Sequence, residues 1–183
     1  EKGFVSVLDL GSGTGRHSIL LNDEDFDVEA FDLSSEGLEK LNGEIQKNNL
    51  KIKVRTGDML NLPYVENTFD CILAFHTIHH TDYAGLQKVL EKIKKILKPD
   101  GEIFLTLASK ESDSWQKYSA DKIDEHTLIK TDGPEINVPH TYLNYEEVLD
   151  VMKDFRLIKI QETINYLPKQ GKKHAHFFIL AKN

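Results

Sequence analysis

The sequence has almost no cysteine. Cys71 stands alone, so neither an internal disulfide nor a thiolate metal cage can form, and a reducing cytoplasm is the expected setting. Long apolar runs are missing too: stretches such as residues 71–75 and 177–181 fall far short of the roughly 18 to 20 residues that span a bilayer. No membrane partner is therefore expected. Glu1 is followed by no charged-then-apolar leader, and the lack of an initial methionine points to a processed or incompletely represented N-terminus,. Basic residues are outnumbered, 23 Lys and Arg against 30 Asp and Glu, for a net charge of -7. Such a surface repels phosphate polymers on average, which disfavours nucleic acid as a partner.

What is present fits one folded domain. The 183 residues, 39% hydrophobic and 29% charged, match the size and composition of a single globular core. No internal repeat, low-complexity tract or linker divides residues 1–183, so a single domain is expected.

Strand and helix signals alternate along the chain. Residues 4–10 form a Val- and Leu-rich run ended by glycines, as in a strand buried on both faces. A helix begins near Ser18. Residues 27–32 (DVEAFD) read as a second strand closed by an acid. Ser34 and Ser35 can cap a helix carrying Leu38, Leu41 and Ile45, and a third strand holds Ile52 and Val54. Residues 69–75 are a further buried strand. Leu86, Val89, Leu90, Ile93, Ile96 and Leu97 stripe an amphipathic helix, and Pro99-Asp100-Gly101 is a turn before strand 103–107. Because parallel strands need crossover connections, this alternation predicts an α/β fold with helices on both faces of a mostly parallel sheet. Residues 145–155 read as helix, and residues 157–164 and 177–181 as an antiparallel hairpin turning around Pro168 and Gly171. Residues 108–143 break the rhythm; polar and longer than ordinary connections, they are expected to form a lid or substrate loop.

The stretch Asp9-Leu10-Gly11-Ser12-Gly13-Thr14-Gly15 lies where a strand hands over to a helix, the ligand-binding place of open α/β sheets. Glycines there let the backbone approach a ligand, and Asp32 follows Gly11 at about the 20-residue distance that sets an acid over a ribose diol. An adenosine-type ligand is the implied class. The dinucleotide fingerprint G-x-G-x-x-G would place its third glycine at position 16, which is Arg16.

This G-x-G-x-G pattern, with Asp9 ahead of it, resembles the first motif of class I S-adenosylmethionine-dependent methyltransferases. Gly57-Asp58-Met59 is similar to that family's third motif, 69–76 to its fourth-strand motif, and Leu97-Lys98-Pro99-Asp100-Gly101 to the turn before strand five. Among subgroups, the chain resembles the small bacterial and archaeal tellurite-resistance-like and ubiquinone-biosynthesis-like enzymes, through Gly-Thr-Gly-Arg-His-Ser, the pair His79-His80 and the tail 176–182. The resemblance implies a doubly wound, Rossmann-like, seven-stranded sheet of order 3-2-1-4-5-7-6 with a C-terminal antiparallel hairpin. It implies S-adenosylmethionine as cofactor and S-adenosylhomocysteine as product. Asp9, Gly11, Ser12, Gly13, Asp32, Leu33, Asp58, Met59, Ala74 and Phe75 then form the cofactor set, with Asp32 on the ribose, Leu33 against adenine and Asp58 on its amino group. A helical cap usually precedes strand one in that family, and here it is expected to be absent or truncated.

The acceptor side is less defined. His76, His79 and His80 follow the fourth strand at the carboxyl edge, where they could meet an acceptor, hydrogen-bond in a helix start, or hold a metal with an acid such as Asp82. No metal is expected, and His80 is the candidate to shape or deprotonate the acceptor. Arg16 can hold a carboxylate or an anionic acceptor, or form a surface salt bridge. His140 and Tyr142, at the end of the long segment, are placed over the acceptor or in loop packing. Lys169, Lys172 and Lys173 make a small basic turn. The expected reaction is methyl transfer to a small-molecule acceptor. Two alternatives stay open: a non-catalytic module that binds the cofactor, and a methyltransferase of macromolecules. Amino-methylating nucleic-acid enzymes carry an Asn/Asp-Pro-Pro-aromatic motif after strand four, where this chain has Ala74-Phe75-His76-Thr77,.

Overall fold

The computed structural model describes residues 3, 5–133, 135–168 and 171–183. Phe4 and Lys169, which belong to the expected first strand and basic turn, lie outside them.

Among the described residues, nine strands and five α-helices follow one another. The first half alternates strictly: β1 (Ser6–Leu10), α1 (Arg16–Asp23), β2 (Asp27–Asp32), α2 (Ser35–Asn48), β3 (Ile52–Thr56), β4 (Phe69–Ala74) and α3 (Tyr83–Ile96). β5 (Leu97–Ser109) is followed by α4 (Asp113–Lys117), β6 (Thr127–Ile129), β7 (Pro139–Leu143), α5 (Tyr145–Val151), β8 (Arg156–Leu167) and β9 (Lys172–Lys182).

β1 lies at the centre, parallel to β2 and β4, and β2 continues to β3. β4 pairs parallel with β5, β5 antiparallel with β9, and β9 antiparallel with β8. Numbered among themselves, the seven principal strands therefore run 3-2-1-4-5-7-6, as expected. The strand order reverses between β1 and β4, and a crevice opens at their carboxyl ends, Leu10 and Ala74.

Period-two alternation splits the core into two layers. Val28 and Ala30 face Leu38 and Leu41 of α2, while Phe31, one step out of phase, joins Leu8, Leu10 and Ile72 under α3. Asp82 starts α3 by accepting from the Gly85 amide at 2.7 Å,. From there Leu86, Val89, Leu90, Ile93 and Ile96 are buried at helical spacing. Truncating one of them, Ile93→Ala, would cost about 2–5 kcal/mol through lost burial and the cavity left behind.

Several boundaries differ from the sequence expectation. Pro99-Asp100-Gly101 does not precede the fifth strand but bulges within β5, where the register against β4 shifts and Asp100 has φ 61°. The C-terminal hairpin is longer than expected, because Lys172, Lys173 and His174 pair with Leu167, Tyr166 and Asn165 across it. Residues 108–143 are not a structureless loop. Ala108, Trp115, Tyr118, Leu128 and Tyr142 bury one another in a third cluster, and β6 pairs antiparallel with β7. β7 in turn lies parallel beside the end of β5, Ala108 against Tyr142. Apolar side chains enough for a small core, spread through a polar stretch, thus fold the segment over the carboxyl edge.

Candidate active site

The glycine loop wraps the end of β1. Gly11 and Ser12 donate their amides to Phe31 O at 2.7 and 3.2 Å, and Gly15 closes a turn on Ser12 O at 2.9 Å. Gly11, Gly13 and Gly15 have φ of 78°, 54° and 83°, a region that side chains resist. A Cβ at Gly11 would sit 1.8 Å from Thr77 Oγ1, and one at Gly15 would sit 2.2 Å from Leu41 Cδ1. Gly15 is also the N-cap of α1.

Asp9 lies beneath the loop, 1% exposed, and accepts from Ser18 Oγ at 2.6 Å. Burial raises its pKa, opposed by the Ser18 hydrogen bond and by His17,. It fixes the start of α1 to the end of β1 and does not form the cleft wall. Ser12 is buried, with its Oγ lacking a partner within the protein.

The second wall comes from the ends of β2 and β3. Asp32 accepts the Gly13 amide on Oδ2 at 2.7 Å and the Ser34 amide on Oδ1 at 2.7 Å. Each carboxylate oxygen has two lone pairs, so both oxygens keep room for a further donor. Gly57 donates to Asp32 O at 2.9 Å. Asp58 accepts from Leu60 N at 2.8 Å and so caps the 3₁₀ turn Met59–Asn61. Asp32, Leu33, Asp58 and Met59 line one cleft of about 700 Å³, together with Gly11, His76, Thr77, His80, Val138 and Pro139.

The histidine segment departs from expectation. It is not a helix: His76 is left-handed, with φ 52°, and α3 starts only after Asp82. A turn carries residues 77–81, so the three histidines do not stand in a helix start. The His76 amide donates to Thr106 Oγ1 at 2.7 Å. β7 braces the turn, with Thr141 donating its amide to His79 O at 2.8 Å and its hydroxyl to Thr81 O at 2.7 Å.

Of the residues expected to meet the acceptor, Arg16, His79, His140 and Tyr142 do not line the cleft; His76 does, and so does His80. Behind it, its Nε2 lies 3.6 Å from Glu135 Oε1, and the opposite Glu135 oxygen meets His140 Nε2 at 3.0 Å. His140 is itself 1% exposed and contacts Val138 O through Nδ1 at 2.8 Å. Burial, and then the charge of His140, push His80 below the ordinary histidine range, so it stands neutral near pH 7. Burial lowers His140 as well, and Lys130 reinforces this. His79 is buried behind His80, their rings 4.4 Å apart. Tyr142 packs on Trp115, and burial pushes its hydroxyl up to about 12. Arg16 lies outside the cleft, 3.2 Å from His17 Nε2 and over the Phe75 ring. Phe75 packs edge-on to His17 and His76 instead of walling the cleft. Ala74, fully buried, ends β4 below it.

Thr77, Val138 and Pro139 escaped the sequence reading as cleft residues. Thr77 could have been found by asking what packs on Gly11. Val138 and Pro139 reach the cleft only because β7 crosses the carboxyl edge, which no local pattern announces.

A family model described as "Methyltransferase domain" matches residues 7–101, so the chain belongs to that family. The match covers the glycine loop, both acids and the histidine turn. Over 97% of its length the chain is 26% identical to phosphoethanolamine N-methyltransferase of Plasmodium falciparum, spanning 78% of that protein. It is 28% identical over 61% of its length to demethylmenaquinone methyltransferase of Lactobacillus johnsonii, spanning 49% of it. The chain thus spans about half the length of several curated relatives. Among solved structures, a SAM-dependent methyltransferase from Methanosarcina mazei superposes with TM-score 0.83 at 18% identity, over 100% of this chain and 93% of that one. A Burkholderia thailandensis 1,6-didemethyltoxoflavin-N1-methyltransferase holding S-adenosylhomocysteine does so with TM-score 0.73 at 18% identity, over 97% and 70%.

The chain is an S-adenosylmethionine-dependent methyltransferase of the class I fold. The cleft suits that cofactor: Gly11 brings left-handed backbone without a side chain to its edge, and the Asp32 and Asp58 carboxylates are both among its lining residues. None of the described helices is long and apolar enough to cross a membrane.

Proposed function

We propose that this chain moves a methyl group from S-adenosylmethionine to a small-molecule acceptor by in-line displacement, in a reducing cytoplasm. The observation that carries the reading is the sharing of one cleft of about 700 Å³ by Asp32 and Asp58 on one side and His80, Val138 and Pro139 on the other. That volume is in the usual range for small-ligand sites, about 300–1,000 Å³. When bound, the cofactor supplies an electrophilic methyl on a sulfonium, which needs no covalent help from the protein.

What the chain contributes is placement. Asp32 and Asp58 hold the ribose and the adenine amino group, and Leu33 and Met59 offer apolar surface to the base. His80, braced by Glu135, presents a neutral imidazole that accepts a hydrogen bond from the acceptor and orients its lone pair toward the methyl. Val138 and Pro139 narrow the mouth and exclude water.

The test is turnover with methyl-labelled cofactor. Acceptors would include phosphoethanolamine, a demethylated quinol and a heterocyclic amine, beside RNA, DNA and a protein mixture. Label in a small molecule, reduced at least tenfold in His80→Ala, is the expected result. Label confined to a macromolecule overturns the acceptor class, and tight cofactor binding without turnover on a broad metabolite extract favours the binding-module alternative.

A further inference from the structure

Behind the cleft, three imidazoles from separate parts of the chain meet. His76 follows β4, His79 sits in the turn before α3, and His176 comes from β9, a hundred residues later. Each offers one ligand nitrogen, and the three nitrogens lie within 4.8 Å of one another. The ring centroids of His76 and His176 are 4.3 Å apart, and those of His79 and His176 are 5.8 Å apart.

His79 supplies the second observation. It is 4% exposed, and its Nδ1 has no hydrogen-bond partner in the protein. A buried polar atom left unmatched is destabilising, and two other buried side chains avoid that: His140 uses both ring nitrogens, and Ser18 bonds Asp9.

The backbone of the triad is already held. The His76 amide is tied to Thr106, the His79 carbonyl accepts from Thr141, and His176 is paired on both sides, to Ala108 and to Thr163. Only side-chain torsions have to close the gap to the roughly 3.3 Å between donors that Zn–N bonds of about 2.0–2.1 Å require in a tetrahedral shell.

We propose that His76, His79 and His176 form a binding site for a divalent first-row transition metal ion, with Zn²⁺ the best-suited occupant. Three neutral imidazoles and no thiolate match the ligand preference of Zn²⁺, Cu²⁺ and Ni²⁺ and leave a fourth coordination position free. Burial in one another's company favours the neutral rings that bind metal. Because His76 also lines the cleft, the ion would border the acceptor end of the active site. A second group, His80, Glu135 and His140, lies close by, but Glu135 and His140 already satisfy each other there.

The test uses the full chain, free of any polyhistidine tag and stripped with chelator, in equilibrium dialysis against zinc sulfate. Co²⁺ serves as a spectroscopic probe. Expected are one Zn²⁺ per chain, a rise in Tm on loading, and the visible bands of four-coordinate Co²⁺. Losing even an outer-shell partner of a metal ligand costs about 10–100-fold in affinity, so His176→Gln should weaken binding at least that much. His79→Gln should do the same; if its buried position prevents folding, the half-buried His176 variant still decides. His174→Gln, two residues along the same strand, should leave the affinity unchanged. Absence of stoichiometric binding, affinity indifferent to His79 and His176, or loss confined to His140→Gln would each overturn the assignment.

Discussion

The amide of Gly13 donates a 2.7 Å hydrogen bond to Asp32 Oδ2, which ties the tip of the glycine loop to the acid at the end of β2. The residue expected to hold the ribose therefore also shapes the loop beside it. Asp32→Ala should lower affinity for S-adenosylmethionine at least tenfold, since a hydrogen bond to a charged group is worth about 1.5–3 kcal/mol. It should lower Tm as well, because the Gly13 and Ser34 amides both lose their acceptor. Calorimetry and thermal melts read the two effects separately. Unchanged affinity in a variant with a lowered Tm would mean that Asp32 only builds the loop.

Two glycines of one loop should respond differently to the same substitution. At Gly13 an added Cβ meets nothing within 4 Å, so Gly13→Ala suffers only its left-handed backbone, about 1–2 kcal/mol. At Gly11 the methyl group would overlap Thr77, and Gly11→Ala should abolish cofactor binding and destabilise the fold more than Gly13→Ala does. Adding Thr77→Gly should recover part of that stability. Equal losses at both positions, measured by urea unfolding, would show that packing against Thr77 is not what excludes a side chain at Gly11.

The alternation of strands and helices was legible in the sequence for a local reason, whereas the order of strands within the sheet came from the resemblance to class I methyltransferases. Val28, Ala30 and Asp32 alternate within one strand, Ser34 is a good cap, and the glycines mark where β1 must turn, while Asp82, read only as an acid that could hold a metal, proves to cap α3. β6 was not legible, because Thr127–Ile129 is too short to show alternation, and its partner β7 opens on a proline. The acceptor side was legible in part. His80 was found from its place after β4, but His140 and Tyr142 are buried instead of lining the cleft, and Phe75 faces α1. The meeting of His76 and His79 with His176 depends on β9 returning beside β5. That contact is set by tertiary topology and leaves no trace in sequence spacing.

At the opposite end of the sheet, Asp70 gathers the amide and hydroxyl of Ser6 at 3.0 and 2.7 Å and the Lys98 ammonium at 2.9 Å. Burial alone would raise its pKa, but these partners, with the Val5 amide, hold the carboxyl well below the usual carboxylate range,. A carboxylate depressed in the folded state contributes stability above its unfolded pKa, near 3.9, and loses it as pH falls through the folded value. The Tm difference between wild type and Asp70→Asn should therefore stay constant from neutral pH to about pH 5 and shrink progressively below about pH 4. A difference that widens on acidification would reverse the sign and refute the assignment. Activity at neutral pH should persist in this variant, because Asp70 sits at the amino end of β4, away from the cleft.

The segment between β5 and α5 should set acceptor preference, and the residue that tests this is Val138. Replacing His140 or Tyr142 is a poor probe, because both are buried and truncating Tyr142 against Trp115 would cost stability first. Val138 is half-buried and lines the cleft beside Pro139 and His80, so its side chain can change with little effect on the core. Val138→Ala widens the mouth and Val138→Phe narrows it. If the segment covers the acceptor, kcat/KM ratios between a small and a bulky acceptor should shift in opposite directions in the two variants, by about tenfold or more, the scale at which a hydrophobic pocket discriminates a few methylenes. The Kd for S-adenosylmethionine should stay within about twofold of wild type, since Asp32, Asp58 and the glycine loop are untouched. Parallel losses of cofactor affinity and turnover would instead make the segment part of the cofactor wall, and unchanged acceptor ratios would place specificity elsewhere in the cleft.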